Sequence, residues 1–545
     1  MASTSEQVVE LLKRQQSFIV EAGAGAGKTR TLVDALSYLL SHEASSFLST
    51  NQKLVCVTYT NVAANEIKSR INRDPLVRVS TIHEFLWSVI APFQAELRDL
   101  IVELNAAAVG SKKIEGLNLT GMPIEYWQFP RKYERGKIGH DDVIDLSSRL
   151  FAKYPKVSRL LADRYPVIFV DEYQDTNPRT IDLLLDHVLA KNPGRVTVGL
   201  FGDYMQQIYN TGVGRVERDD LEVVQKVENF RCSLSVISVL NHLRPELKQV
   251  VGGNNSQGSA RFVYMRNGNG DAAAVAEIRE ELVREGWSES SSKVLMLTRR
   301  GIADSLEWPQ LLAAYQARSS FGVDNLMTRE DEFGEFFASI EELAAAFDAQ
   351  RFGDFLAMRG RSGVRILQHD DKTAVVNQMT KLNQLRENSS VGEVVDFVVQ
   401  DGLLRKPRRL QALEDRIELA EDPERSERDS VFLSSLRDIP YLEIIKFEQY
   451  LNNETPFSTN HGVKGEEYED VLVVLDDRLW NQYKFESVLA GDTSKTQYQR
   501  SLNLFYVSCS RAKKNLVVLA LSPMGVSAVD GAKRIFGEDM VREIG

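Results

Sequence analysis

The stretch Ala22-Gly23-Ala24-Gly25-Ala26-Gly27-Lys28-Thr29 restricts the possible folds of this chain more than any other. Before it runs the short apolar segment Ser17-Phe18-Ile19-Val20-Glu21, and after it Arg30-Thr31-Leu32-Val33-Asp34-Ala35-Leu36 has helical spacing. Small residues between a strand and a helix form the setting of a phosphate-binding loop. Glycines let the backbone curl with its N–H groups turned towards an anion, and the helix N-terminus adds partial positive charge. Lys28 is placed to reach outer phosphates, and Thr29 to offer a hydroxyl to Mg²⁺. The usual pattern has glycine at its first position, where this chain has Ala22.

At 545 residues the chain is too long for one hydrophobic core, so several domains are expected. No apolar run approaches the roughly 20 residues that span a bilayer, which predicts a cytoplasmic protein with no membrane partner. Cys56, Cys232 and Cys509 are widely separated, a pattern of buried thiols rather than of disulfides or a metal site. The net charge of −11 excludes bulk-charge coating of nucleic acid but leaves room for a local basic groove.

Along the chain, Lys53 to Asn61 reads as a second buried strand, followed by a helix from about Val62. Val77 to Ile82 reads as a third strand, running into His83-Glu84-Phe85-Leu86-Trp87. Strands alternating with helices predict an α/β fold with a parallel sheet and its ligand at the carboxyl ends of the strands. Residues 91–164 read as helical. Within them Trp127 to Lys137 interleaves basic and aromatic residues, a composition that suits both a single-strand platform and a solvated loop. The sheet pattern resumes at Pro166-Val167-Ile168-Phe169-Val170-Asp171-Glu172, a buried strand delivering two carboxylates to its end. Asp171 is expected to hold Mg²⁺ and Glu172 to orient or deprotonate a water attacking a γ-phosphate. A further strand, Arg195 to Phe201, leads into Gly202-Asp203-Tyr204-Met205-Gln206-Gln207-Ile208-Tyr209.

With that segment the chain resembles the superfamily 1A DNA helicases of the UvrD, Rep and PcrA type. The resemblance implies two RecA-like P-loop NTPase cores, each with a helical insertion, and ATP and Mg²⁺ as cofactors. The implied boundaries are 1–90 and 165–226 for the first core, 91–164 for its insertion, 227–350 and 453–545 for the second core, and 351–452 for the second insertion. In that family an Ala-Gly-Ala-Gly start to the loop is common, which accounts for Ala22. Gln7 takes the place of the family's adenine-reading glutamine. The loop residues Ala22, Gly23, Ala24, Gly25, Ala26, Gly27, Lys28, Thr29 and Arg30 bind ATP by implication. In Glu228-Asn229-Phe230-Arg231 the resemblance makes Phe230 an adenine stacker and Arg231 a γ-phosphate contact. Gln206 couples nucleotide to DNA, Glu467 contacts ribose, and Arg511, in Leu504-Phe505-Tyr506-Val507-Ser508-Cys509-Ser510-Arg511, is an arginine finger. Tyr59, Thr60, Asn61, His83, Tyr209 and His461 fall at family DNA-contact positions. ATP lying between the cores, with Phe230, Arg231, Glu467 and Arg511 supplied by the second, is what the family implies.

The likeness is uneven. After Tyr209 the family commonly has an aromatic and an arginine, where this chain has Asn210-Thr211-Gly212, and Glu466 stands where leucine is common. The ATPase residues are complete while the DNA-handling ones are partly altered. Two functions remain open: a 3′-to-5′ translocating helicase acting on single-stranded or 3′-tailed DNA, and a DNA-sensing ATPase that regulates a separate nuclease. Compact UvrD-like subunits of Gabija anti-phage systems, which work with a nuclease of the OLD/GajA type, resemble this chain in size and motif layout. With 34 residues after Arg511, no fused nuclease is expected. A small-molecule kinase would use Lys28 and Asp171 but leave Arg231, Glu467 and Arg511 without a role.

Overall fold

The structure, a computed structural model, describes residues 3–545 apart from 111–112, 128, 208–210, 267–271, 289, 362–368, 421, 461, 464 and 479–480. The chain forms two compact units. The first comprises Met1–Arg261, Tyr483–Leu516 and Val526–Val541, and the second Phe262–Gln482, Val517–Gly525 and Arg542–Gly545. Residues 227–261 and 483–516, expected with the second core, thus pack in the same unit as the phosphate loop, because hydrogen bonds tie them directly to that loop, as described below.

In the first unit the strands in chain order are β1 (Phe18–Ala22), β2 (Leu54–Thr58), β3 (Val77–Thr81), β4 (Glu125–Tyr126), β5 (Lys137–Ile138), β6 (Val167–Asp171), β7 (Thr197–Gly202), β8 (Glu222–Lys226), β9 (Glu228–Asn229) and β10 (Val250–Val251). Six of them form one sheet in the order β3-β2-β6-β7-β1-β8, every neighbouring pair parallel. The central strands β1, β2, β6 and β7 are buried along their whole length, which is why they read as unbroken apolar runs. The sequence reading missed β8: as an edge strand with Glu222, Val223 and Gln225 exposed, it lacks that signature.

Helices cover both faces of this sheet. Ile19, Val55, Val57, Ile168, Val170, Val198 and Leu200 point to one side, where Phe85, Leu86, Leu97, Leu100, Val143 and Leu150 join the same core. Phe18, Val20, Leu54, Cys56, Phe169 and Phe201 point to the other, against Leu32, Leu36 and Ile67. On that second face the rings of Phe18, Phe169 and Phe201 meet edge-on, with centroids 5.2–6.1 Å apart. Gly199 makes the cluster possible, since a Cβ there would stand 2.7 Å from the Phe18 ring and 2.8 Å from that of Phe169. The cluster joins β1, β6 and β7, the strands that carry the phosphate loop, Asp171 and Asp203. The three cysteines are buried and unbridged.

The other six-stranded sheet, most of whose residues belong to the second unit, consists of β11 (Ser259–Met265), β12 (Ser292–Met296), β13 (Phe457–Thr459), β14 (Tyr468–Leu475), β15 (Ala512–Ala520) and β16 (Val541–Ile544), in the order β13-β12-β14-β15-β11-β16. β12 pairs in parallel with both β13 and β14. The two six-stranded sheets with flanking helices are two RecA-like α/β cores. Between β12 and β13 the elements among the described residues are helices, from Arg299–Ser305 through Leu442–Leu451. Trp308, Tyr315, Phe333, Phe337, Phe432, Tyr441 and Phe447 are buried among those helices. Among the described residues no helix is long and apolar enough to cross a membrane.

Candidate nucleotide site

β1 ends at Ala22, and the loop begins at once. Gly25 and Gly27 have φ of +71° and +77°, which only glycine adopts without strain, and Gly27 opens the helix Lys28–His42. Ala22 is an extended strand residue, so glycine is not required there. Gly23 is needed for space: a Cβ would lie 2.2 Å from the Gln249 amide nitrogen.

The outer side of the loop is held by Phe230 and by three residues that sequence reasoning gave no role, Asn229, Gln249 and Tyr506. The carbonyl of Ala24 accepts from Asn229 Nδ2 at 2.9 Å and from Gln249 Nε2 at 2.7 Å, while its N–H donates to the Tyr506 hydroxyl at 3.1 Å. Phe230 donates its N–H to the carbonyl of Gly25 at 3.1 Å. The loop is thereby tethered from behind, and within it the Ala26 N–H donates to the carbonyl of Gly23 at 3.2 Å. Neither Gln249 nor Tyr506 is foreshadowed by local pattern, since each reaches the loop across more than two hundred residues of chain.

The acidic residues follow at the end of β6. Asp171 is buried and, among the described residues, its Oδ1 has no hydrogen-bond partner. Burial, and then the neighbouring Glu172 charge, pushes its pKa up to about 7, with Lys28 opposing. A desolvated carboxylate oxygen with no donor is a fit for a hard, oxygen-seeking cation, and Thr29, in the first turn of the loop helix, supplies a second oxygen of the right kind. Glu172 has φ of +51°, a strained conformation for a residue with a side chain. Its Oε2 lies 3.3 Å from Lys28 Nζ and accepts from Gln174 Nε2.

From there a connected polar network crosses the strand ends. The Asp203 N–H donates to Gln174 Oε1 at 3.1 Å, Gln206 Nε2 donates to Asp203 Oδ2 at 2.7 Å, and Arg244 pairs with Asp203 at 2.6 Å, both essentially fully buried. The Arg244 guanidinium also lies 6.0 Å from the Tyr506 ring centroid, which returns the network to Ala24. Arg511 is buried; it donates to Gln206 Oε1 at 3.4 Å and to the carbonyl of Val507 at 3.1 Å. Burial and then the charge of Arg231 pull its pKa down to about 10, so it stays cationic at neutral pH. Arg231 Nη1 is 3.5 Å from the Ser510 carbonyl. Lys28, Asp171, Glu172, Gln206, Arg231 and Arg511 therefore gather in one unit around the loop.

At the other end of the loop Phe230 is 56% exposed, an uncovered aromatic face beside a phosphate cradle. Gln7 lies on the exposed side of helix Thr4–Lys13, and Arg30 is exposed in the first turn of the loop helix. Glu467 is exposed in the second unit, just before β14.

Among the DNA candidates, Tyr59 is 47% exposed beyond β2, and Asn61 is exposed at the start of helix Asn61–Arg70. Thr60 caps that helix, its Oγ1 accepting the Ala63 N–H at 3.2 Å. The His83 ring packs 4.6 Å from that of His140, and burial, followed by His140, pulls its pKa down to about 4. His83 is therefore neutral near pH 7 and can offer a hydrogen bond or a ring face but no charge. Tyr209 and His461 lie outside the described residues. Two cations of the Trp127–Lys137 segment are paired with carboxylates outside it: Arg131 binds Asp142 at 3.1 Å and Lys137 binds Glu125, while Tyr133 is buried. Phe129, Lys132 and Arg135 are exposed, with the Lys132 ammonium 5.2 Å from the Trp127 ring centroid. In the basic run near 407, Lys406 pairs with Glu414 at 2.6 Å and Arg409 donates to the carbonyl of Glu330 at 3.1 Å, while Arg405 and Arg408 are exposed.

The chain is similar to known proteins over this site and beyond it. Residues 5–212 match the family model of an AAA domain. A Gabija protein, GajB of Bacillus cereus, is 24% identical over 97% of this chain and 96% of its own length. The ATP-dependent DNA helicase PcrA of Staphylococcus aureus is 20% identical over 94% of this chain and 82% of its own. DNA helicase II of Salmonella typhimurium is 26% identical over 42% of this chain and 38% of its own.

Proposed function

We propose that this chain, which is similar to UvrD-like helicases of superfamily 1, hydrolyses ATP and couples hydrolysis to work on DNA as a 3′-to-5′ translocase. The observation that carries the reading is the gathering of Lys28, Asp171, Glu172, Gln206, Arg231 and Arg511 around one phosphate loop, joined through Gln174 and Asp203.

Bound ATP would supply the transferable phosphoryl group, and Thr29 and Asp171 would hold a Mg²⁺ that compensates its charge. The chain supplies the rest. Loop N–H groups and Lys28 cradle the phosphates, while Glu172, steadied by Gln174, orients the attacking water. Arg231 and Arg511 repel one another in a desolvated region, and an anionic phosphoryl oxygen between them relieves that repulsion, so their stabilisation is greatest where charge develops. Gln206 touches both Arg511 and Asp203, so a change at the phosphates is felt in the segment leading to Tyr209. Tyr59, Asn61 and His83 are the residues of this unit we assign to DNA, and we place the work in the cytoplasm.

A second reading, favoured by the end-to-end likeness to a Gabija protein, makes the chain a DNA-sensing ATPase in anti-phage defence, governing a nuclease of the OLD/GajA type and unwinding little by itself. Strand displacement on a 3′-tailed duplex separates the two. Unwinding by the purified chain supports the translocase. DNA-stimulated hydrolysis without unwinding supports the sensor, and hydrolysis indifferent to nucleic acid refutes both.

A further inference from the structure

Lys226 takes no part in the reading above, yet it lies against the same loop. It ends β8, paired with Ala22 of β1, and its carbonyl accepts the N–H of Gly23 at 3.2 Å, so its backbone is fixed to the start of the phosphate loop. The side chain runs along that loop. Its Cε is 4.0 Å from the position a Cβ on Gly27 would take, and its Nζ is 5.9 Å from the centroid of the Phe230 ring.

Lys226 is only 9% exposed, and among the described residues its amine makes no ion pair or hydrogen bond. Burial lowers its pKa from the usual lysine value; Glu228 and Asp34 offset this without pairing with it, and Arg30 adds to the fall. A lysine that merely covers apolar surface with its stem sends its amine outward to water. Here the amine stays beside the loop, at the outer limit of a cation–π contact that compensates little for lost hydration.

We propose that the Lys226 ammonium is a nucleotide contact, donating to an α-phosphate oxygen of a nucleoside triphosphate whose base stacks on Phe230. The placement follows from the two distances: Lys226 stands between the base platform and Gly27, and the α-phosphate is the charged group between a base and the outer phosphates. The inference rests on the nucleotide site proposed above.

Lys226→Met keeps the stem and removes the charge. A hydrogen bond to a charged oxygen lost in this way raises Kd and KM for ATP about tenfold to a hundredfold, with kcat at saturation within about twofold. Inorganic tripolyphosphate, used as a competitor, weakens in parallel, and Lys226→Arg recovers most of the affinity. Unchanged ATP affinity in a folded Lys226→Met protein overturns the contact. A loss confined to nucleotides, with tripolyphosphate unaffected, places the ammonium on the base and overturns the α-phosphate assignment. If the methionine variant does not fold, Lys226→Gln takes the same measurements. Lys28→Ala is the control for the underlying reading: if wild type binds ATP no better than Lys28→Ala, the nucleotide site itself fails, whereas a defect in Lys28→Ala alone refutes only Lys226.

Discussion

The Asp171 carboxyl predicts a pH dependence whose direction and size follow from its surroundings. It is buried at the end of β6 with Oδ1 unpartnered, and burial followed by the Glu172 charge holds its pKa at about 7 against an ordinary 3.8. A carboxyl group must be ionised to ligate a hard cation. With that pKa, roughly a tenth of the population is ionised at pH 6 and roughly nine tenths at pH 8, so apparent Mg²⁺ affinity of the nucleotide-bound protein rises about tenfold across the interval. The assay is Mg²⁺ titration of a fluorescent-nucleotide complex at pH 6, 7 and 8, each referred to Mg²⁺ binding by the free nucleotide, which titrates in the same range. Glu172→Gln removes the adjacent charge and moves the rise to lower pH. Without ligands the sign reverses. Because the folded pKa lies above the unfolded one, the folded state holds the extra proton, so stability is greatest below about pH 4 and is lost as pH rises through about 7. Asp171→Asn abolishes that loss. Mg²⁺ affinity that is flat between pH 6 and 8 after the nucleotide correction refutes the reasoning.

Three further expectations concern the residues around the loop. Lys28→Ala abolishes nucleotide binding, whereas Glu172→Gln keeps binding and loses hydrolysis, which filter binding and phosphate release distinguish. Arg244→Met strands the buried Asp203 carboxylate, 2.6 Å away in the native pair, and destabilises the first unit by about 3–5 kcal/mol in denaturant melts. Gly199→Ala drives a methyl into the Phe18–Phe169–Phe201 cluster and costs about 1–3 kcal/mol by the same measurement.

What could be read in the sequence follows a physical line. β1, β2, β6 and β7 announce themselves because strands buried on both faces must be apolar throughout, and the loop and its acids sit where such strands end. β8 stayed hidden because an exposed edge strand needs no such run. Lys28, Asp171 and Glu172 carry local motifs, but Gln249, Tyr506 and Arg244 do not: their importance lies in packing against Ala24 and Asp203 after the chain has folded, and no spacing rule encodes it. The environment also gives a residue properties that its position in a motif does not encode. His83 reads as a DNA contact, yet beside His140 it is neutral, and Thr60 serves first as a helix cap. Trp127 to Lys137 looked like a free basic and aromatic strip, but Asp142 and Glu125 occupy two of its cations.

The account turns on hydrolysis being coupled to DNA through the Gln206–Asp203 connection. The most direct measurement is the steady-state ATPase rate of the purified chain with and without a saturating single-stranded oligonucleotide, beside a Gln206→Ala variant. The account predicts that DNA raises the wild-type rate severalfold or more, and that Gln206→Ala still binds ATP and DNA but loses the stimulation. A wild-type rate indifferent to DNA, or full stimulation in Gln206→Ala, contradicts it.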